Sequence, residues 1–353
     1  MRFPLVAAVL AVLAGGAQCR PQFVMLTFDD AVNIANLPTY RDLLTPARRN
    51  AGNNCTVKAT FFVSHDYTDY SKVHWLYRNG HEIAVHSVSH HSNTDYWRTA
   101  KEQQWREEAE GMRKLLVDHA AMPEADIQGH RAPFLQTAGD VTLQALSGFR
   151  YDSSYPSRKV VLPLSPYDLK NGFKQDCVIA PCPGNSFPGM WEVPLTGWTR
   201  EPVTDEEELP LTCSMADACV PYPEGVNDTL DYLKHNFLRH YQSNRAPFPV
   251  FLHQAWLRHP LRWEAYLQFV NWLTEKNDVF LVTVRQVLDY LEKPVSLEEY
   301  VKQPCRSSKI PPGTKCRPKR CHYPTTKLGI ERNLFTCAEQ CPEVYPWVGP
   351  IPG

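Results

Sequence analysis

Asp29 and Asp30 stand side by side after the apolar run FVMLTF, residues 23–28. Such a run reads as a strand buried on both faces, so the two carboxylates fall at the rim of a core. Like charges placed together there cost free energy unless something positive neutralises them. A second apolar run ends in EIAVHSVSHH, which offers His86 and His90 four positions apart. That spacing sets two imidazoles on one side of a single turn, able to grip one metal ion. Two histidines and one carboxylate make a three-ligand site with an open position, as zinc hydrolases use. The ion is then the positive partner of the acids: one aspartate binds it and its neighbour acts on the ion's water. GHRAPF brings Arg131 to the end of another run, where it can hold and ionise a carboxylate through paired hydrogen bonds. FLHQAW brings His253, a candidate general acid. Singly, these features read as a loop acid pair, a solvated histidine loop, a salt bridge and a core histidine. Their common place at strand ends favours chemistry.

The elements that must position them are strands alternating with helices. FVMLTF, ATFFV, EIAVH, IQGHR, FRYDSS, WEVPL, VFLH and VFLVTV read as strands. Residues 72–79, ended by Gly80, and the charged stretch from Tyr96 to His119 read as helices. Leu230, Leu233, Phe237 and Tyr241 fall on one face of another helix. Trp263, Tyr266, Leu267, Val270 and Leu273 do the same further on, and these aromatics read as core. About eight strands in this rhythm suggest a parallel α/β barrel, in which all strand C-termini open on one face. Residues 152–223, rich in Pro, Gly and Cys, break the rhythm and read as long loops beside the site. After residue 301 the chain becomes a Cys- and Pro-rich tail.

The chain has 353 residues and a net charge of −1, with 37 Lys and Arg against 38 Asp and Glu. That balance gives no support to nucleic-acid binding or a polybasic membrane role. MRFPLVAAVLAVLAGGAQC reads as a secretory signal peptide over residues 1–19, too short for a membrane anchor. Cleavage after Ala17 or after Cys19 fits the small residues there, and parity favours Cys19: it leaves ten of the 11 cysteines, an even number suited to five disulfides in an oxidising compartment. Cys55, Cys177, Cys182, Cys213 and Cys219 precede the tail; Cys305, Cys316, Cys321, Cys337 and Cys341 lie in it. Both sets are odd, so full pairing requires at least one disulfide between them. Cys177 with Cys182 and Cys213 with Cys219 are close enough to pair locally, which would leave Cys55 as the partner of the tail, but the parity holds for a bridge from any of the five. Asn54 and Asn227 lie in glycosylation sequons. The expected organisation is a signal peptide, a barrel over residues 20–300, and a tail over residues 301–353 strapped to it.

TFDD, HSVSHH, RAPF, WEVPL and FLH, in that order, resemble the five motifs of the NodB-like polysaccharide deacetylases, carbohydrate esterase family 4. The resemblance runs from Asp29 to His253 and on to about residue 300. Within the family the chain is most similar to secreted arthropod chitin deacetylases without a separate chitin-binding module. The resemblance implies a distorted (β/α) barrel and a hydrolase with one Zn²⁺ per chain, releasing acetate from the N-acetyl groups of chitin or its oligomers. It implies that Asp30, His86 and His90 hold the metal, that Asp29 is the general base, that His253 is the general acid and that Arg131 orients the base. Trp191 and Leu252 match positions that wall the acetyl pocket, and the backbone near Phe134 matches an oxyanion donor. Two positions depart from the family pattern. Phe134 stands where Tyr is usual, and Glu192 follows Trp191 where Asp commonly tunes the acid histidine. The rival readings are a chitin-binding matrix protein with little catalysis and a deacetylase of another acetylated glycan. An extracellular monomer is expected.

Overall fold

The structure is a computed structural model and describes residues 20–158, 162–200, 212–306 and 316–350; the expected signal peptide lies outside them. Its centre is β1 (Gln22–Asp29), in which all eight residues are buried, as the unbroken apolar run requires. The sheet continues through β2 (Ala59–Ser64), β3 (Glu82–Ser87), β4 (Gly129–His130) and β5 (Tyr151–Asp152). β6 (Pro156–Ser157) leaves it, β7 (Tyr167–Asp168) and β8 (Trp191–Glu192) rejoin it, and β9 (Leu195–Thr196) pairs with β6. β10 (Phe248–His253) and β11 (Val279–Leu281) complete the set. The order is β10-β1-β2-β3-β4-β5-β8-β7, with β11 also paired to β1. All pairings in this sheet are parallel except β7 with β8. The result is a curled, distorted barrel that does not close. β4, β5 and β8 keep only two residues each, shorter than IQGHR, FRYDSS and WEVPL suggest, because polar side chains and Pro194 interrupt their apolar pattern.

Helices α1 (Leu37–Leu43), α2 (Tyr70–Arg78), α3 (Thr94–Thr99), α4 (Glu102–Ala120) and α5 (Asp140–Ala145) belong to the first half. Helices α6 (Gly225–Tyr241), α7 (Pro260–Thr274), α8 (Val284–Glu292) and α9 (Leu297–Val301) follow. Gly80, at φ +80°, closes α2 with the left-handed residue that an L side chain resists. The stretch from Tyr96 to His119 is two helices. Ala100 turns extended, and the Gln104 side chain then accepts the Lys101 N–H to start α4. The break lets Trp97 and Trp105 enter one cluster, their rings 5.2 Å apart. Each such buried large side chain contributes roughly 1.5–3 kcal/mol. VFLVTV is strand only to Leu281; Thr283 and Gln286 form a capping box that opens α8.

That helix start stops the amino-terminal end of the sheet. Glu82 on β3 accepts the Thr60 hydroxyl (3.0 Å), the Tyr151 hydroxyl (3.0 Å) and the Arg285 N–H (2.9 Å). Gly129 is required for the Tyr151 ring to lie across the interior, since a Cβ there would come within 2.0 Å of it.

Disulfides join Cys55 to Cys305, Cys177 to Cys182, Cys213 to Cys219, Cys316 to Cys337 and Cys321 to Cys341. The tail contributes the hairpin β12 (Lys319–Tyr323) and β13 (Arg332–Thr336). It docks on the barrel through Arg332 to Asp66, the Cys337 N–H to the His119 carbonyl, and Pro346 and Tyr345 against His65.

Candidate active site

Strand register brings the reactive residues together. β1 and β10 pair so that Asp29 stands opposite His253. β3 and β4 pair Val85 with His130, which sets His86 beside Arg131. The chain then leaves each strand through backbone that L residues seldom adopt: Asp30 at φ 80°, Ser87 at φ 113° and His90 at φ 44°. His86 is therefore the end of a strand and His90 part of a sharp loop, so their spacing of four is not one turn of helix.

Asp30, His86 and His90 each turn one donor atom to a common point, the three atoms lying within 4.8 Å of one another. His90 Nε2 is 3.3 Å and His86 Nε2 3.8 Å from Asp30 Oδ1. His86 Nδ1 is 2.8 Å from the Arg131 carbonyl. Donating there fixes the tautomer that leaves Nε2 with a free lone pair. Burial lowers the His86 pKa to about 4, outweighing the pull of Asp29, so the ring is neutral near pH 7, as a ligand must be. Two imidazoles and a half-exposed carboxylate converging on one point fit a divalent cation of the zinc type.

Asp29 faces the interior. Arg131 Nη1 donates to its Oδ1 at 2.7 Å, and both side chains are almost wholly buried. Burial raises the Asp29 pKa, but Arg131, His86 and His253 together outweigh it and hold the carboxyl below its usual value. The hold is a single hydrogen bond and not a fork, because the rest of the guanidinium is committed elsewhere. Its Nε donates to the Ser153 carbonyl (2.8 Å), Nη2 to the Ser153 hydroxyl (2.9 Å) and Nη1 also to Thr27 (3.2 Å). Phe62 and Phe251 cover its two faces at 3.9 and 4.3 Å.

His253 is held by a residue that sequence reasoning missed. Asp217 Oδ2 accepts both the His253 N–H (2.7 Å) and Nδ1–H (2.8 Å). Burial depresses the imidazole, but Asp217, with Asp29 and Asp30 behind it, raises its pKa to about 9. The protonated ring keeps Nε2–H turned toward Asp30, 4.0 Å away. Asp217 lies between Cys213 and Cys219, on a loop tied to β10 by the Ala216 N–H and the Phe251 carbonyl.

The remaining expected residues are scattered. Phe134, at φ 56° and 47% exposed, places its ring 5.0 Å from His90 and stays at the rim. Leu252 faces the helix layer with Tyr266 and Phe269, opposite to His253, because side chains alternate along a strand. Phe251 is the residue of that strand that turns inward, packed with Leu135, Leu195 and Met215. Trp191 packs half-buried against the interior cluster of Phe23, Tyr151 and Phe280, not in that wall. Glu192 is wholly buried and meets the Tyr155 N–H. Burial and then Asp152 push its carboxyl well above the usual range, and its place beside His253 is taken by Asp217.

A curled α/β sheet thus carries, at one rim, a His₂–carboxylate cluster that could hold a metal ion, with Asp29 and His253 on either side of it. Residues 17–151 match the family described as Polysaccharide deacetylase. The chain is 36% identical over 345 residues to chitin deacetylase 8 of Bombyx mori, covering 96% of this chain and 87% of that protein. It is 34% identical over 339 residues to chitin deacetylase 1 of the same organism, covering 93% of this chain and 62% of that one. The fold matches a Mycobacterium smegmatis protein assigned to the polysaccharide deacetylases, at a TM-score of 0.53 and 19% identity over 82% of this chain and 95% of that one. The chain belongs to the polysaccharide deacetylase family.

Proposed function

We propose that the protein is a zinc-dependent chitin deacetylase that hydrolyses the N-acetyl groups of chitin or its oligomers to acetate and free amine. The observation that carries this reading is the convergence of three differently charged groups on one rim: Asp29 ionised by Arg131, the Asp30–His86–His90 cluster, and His253 protonated by Asp217. The extent of the match to chitin deacetylase 8 supports the substrate.

Asp30, His86 and His90 would hold the zinc. When bound, the ion acidifies a water and polarises the acetamide carbonyl. Asp29 takes the proton of the attacking water, since its depressed pKa keeps it ionised and its place in the interior keeps it aimed. Arg131 holds that carboxylate in one rotamer. The Phe134 N–H is the donor offered to the oxyanion. Phe251, Leu135, Leu195 and Met215 supply the apolar wall for the methyl group. His253 then gives its Nε2 proton to the departing sugar nitrogen while Asp217 retains Nδ1–H. Five disulfides support an oxidising, extracellular location.

The test is acetate release from chitin oligomers by purified protein with its metal content measured. About one zinc per chain is expected, lost when His86 and His90 are both replaced by Ala. Stoichiometric zinc in that double variant defeats the ligand assignment. Binding of chitin oligomers without acetate release from any acetylated glycan makes the protein a matrix binder. Release only from another acetylated glycan replaces the substrate.

A further inference from the structure

The loop between the two histidines holds a shape that its own sequence disfavours. Ser87 and His90 both have positive φ, and neither is Gly, Asn or Asp. Local bonds explain only part of it: the Ser87 hydroxyl accepts the His90 N–H (3.1 Å), and the Ser89 hydroxyl accepts the His91 N–H (3.2 Å). The rest comes from helix α4. Glu108 is 1% exposed, and both of its oxygens are spent on this region. Oε2 accepts the Val88 N–H at 3.0 Å and the Ser89 N–H at 2.8 Å. Oε1 accepts the hydroxyls of Ser89 and, at 3.0 Å, Tyr96. Val88 itself is buried, and α4 comes close enough there that a Cβ on Gly111 would lie 3.4 Å from it.

No cation pairs with Glu108 among the ion pairs of the described residues. A carboxylate buried in a helix face without such a partner is satisfied only if the donors stay where they are. Two of its donors are backbone N–H groups of residues 88 and 89, inside the four-residue span from His86 to His90. His86 is already fixed by its strand and by the Arg131 carbonyl. Among the described residues the His90 ring has no such backbone anchor; its position follows from the loop.

We propose that Glu108 is a positioning residue of the metal centre: it clamps residues 88–89 so that His90 meets His86 and Asp30 at one ion. This rests on the zinc reading above. Glu108 touches neither metal nor substrate and acts through the loop. Its function is one of hydrogen-bond geometry and not of charge. A glutamine can accept the two amides with its oxygen and donate to the two hydroxyls with its NH₂, so it preserves the clamp.

The experiment measures zinc affinity by competition with a chromophoric chelator, together with hydrogen exchange of residues 87–91 in metal-free protein. Glu108→Ala is expected to bind zinc about 10–100-fold more weakly, the range for residues that orient a ligand from behind. Its faster exchange should be confined to residues 87–91, with the rest of the barrel protected as in wild type. Glu108→Gln should restore affinity to within about threefold. Wild-type affinity in Glu108→Ala overturns the inference, and so does an equal loss in the Ala and Gln variants with exchange raised throughout α4. If the Ala variant does not fold, Glu108→Asp serves, since it keeps the buried charge and withdraws both oxygens by one methylene. About a tenfold loss is expected there, and wild-type affinity overturns the proposal. A wild-type protein that takes up no zinc sinks the proposed function instead, which separates the two failures.

Discussion

Glu82 and Asp29 are both buried carboxylates inside one sheet, at opposite ends of it, and they are satisfied in opposite ways. Glu82 accepts from two hydroxyls and a backbone N–H, all neutral, and both of its oxygens are occupied. Asp29 accepts a single hydrogen bond among the described residues, from the Arg131 guanidinium, on one oxygen. A carboxylate with both oxygens held by neutral donors is a joint: it ties β2, β3, β5 and the start of α8 together. A carboxylate ionised by a buried cation, with one oxygen left for another partner, has the form that the proposed base requires. The difference teaches that burial alone does not mark a reactive acid; the vacant oxygen and the source of its charge do.

The comparison breaks or holds on a series of substitutions. Asp29→Asn has the largest expected effect: acetate release should fall by about 10²–10⁴-fold while Asp30, His86 and His90 still retain zinc, read by turnover beside metal analysis. Unchanged release would make Asp29 a joint like Glu82. Glu82→Ala should behave in the reverse sense. It orphans three donors and should lower unfolding free energy by roughly 3–5 kcal/mol, measured in urea, with kcat of the folded fraction within about twofold. A hundredfold drop in kcat at unchanged stability would erase the distinction.

A smaller effect should come from Asp217→Asn. The His253 pKa is raised to about 9, so the ring is protonated below that pH and loses its proton as pH climbs through it. Removing the Asp217 charge leaves burial, which favours the neutral ring, opposed only by Asp29 and Asp30, so the folded pKa falls. The alkaline limb of kcat/KM should therefore move to lower pH by about one unit or more, equivalent to roughly 1.4 kcal/mol per unit. A limb that stays in place assigns it to another group. The smallest effect is Tyr151→Phe, which takes one donor from Glu82 and leaves two; a loss of about 1 kcal/mol in urea titration with unaltered kcat is expected.

Six residues that converge at the candidate site were legible because they lie at or just after the ends of apolar runs: Asp29, Asp30, His86, His90, Arg131 and His253. Parallel strands that finish at one rim turn that sequence regularity into proximity, and the register pairs Asp29 with His253. Asp217 had no such signal. It sits in a stretch without periodicity and is placed by the Cys213–Cys219 link and the pairing of Ala216 with Phe251. Glu108 reads as one more acid in REEAEG on a helix, and only packing against residues 88–89 buries it. Leu252 was a matter of parity. Strand alternation puts Phe251 and not Leu252 beside the interior, and the two-residue period was available in VFLH. The capping box of α8 was equally available in TVRQ. Trp191 and Glu192 were placed by motif and not by register, and the register with Tyr151 and Asp152 puts Trp191 in an interior cluster and buries Glu192.

Within the main sheet of the described residues, β1 is the first strand to be made and waits longest for its partners. Its partner β2 follows closely in the chain, but β10 and β11 lie more than 200 residues later. A growing chain on the ribosome therefore carries β1 with one hydrogen-bonding edge bare, and its apolar faces uncovered, until residues 248–281 have emerged. At roughly 5–20 residues per second, that wait lasts on the order of ten seconds or more. Contacts this distant in sequence also slow the final closure, and a bare strand edge is a template for pairing with another chain. The burden falls on whatever shields nascent chains: yield in a host should respond to holdase supply and to elongation rate more than to changes at the catalytic rim.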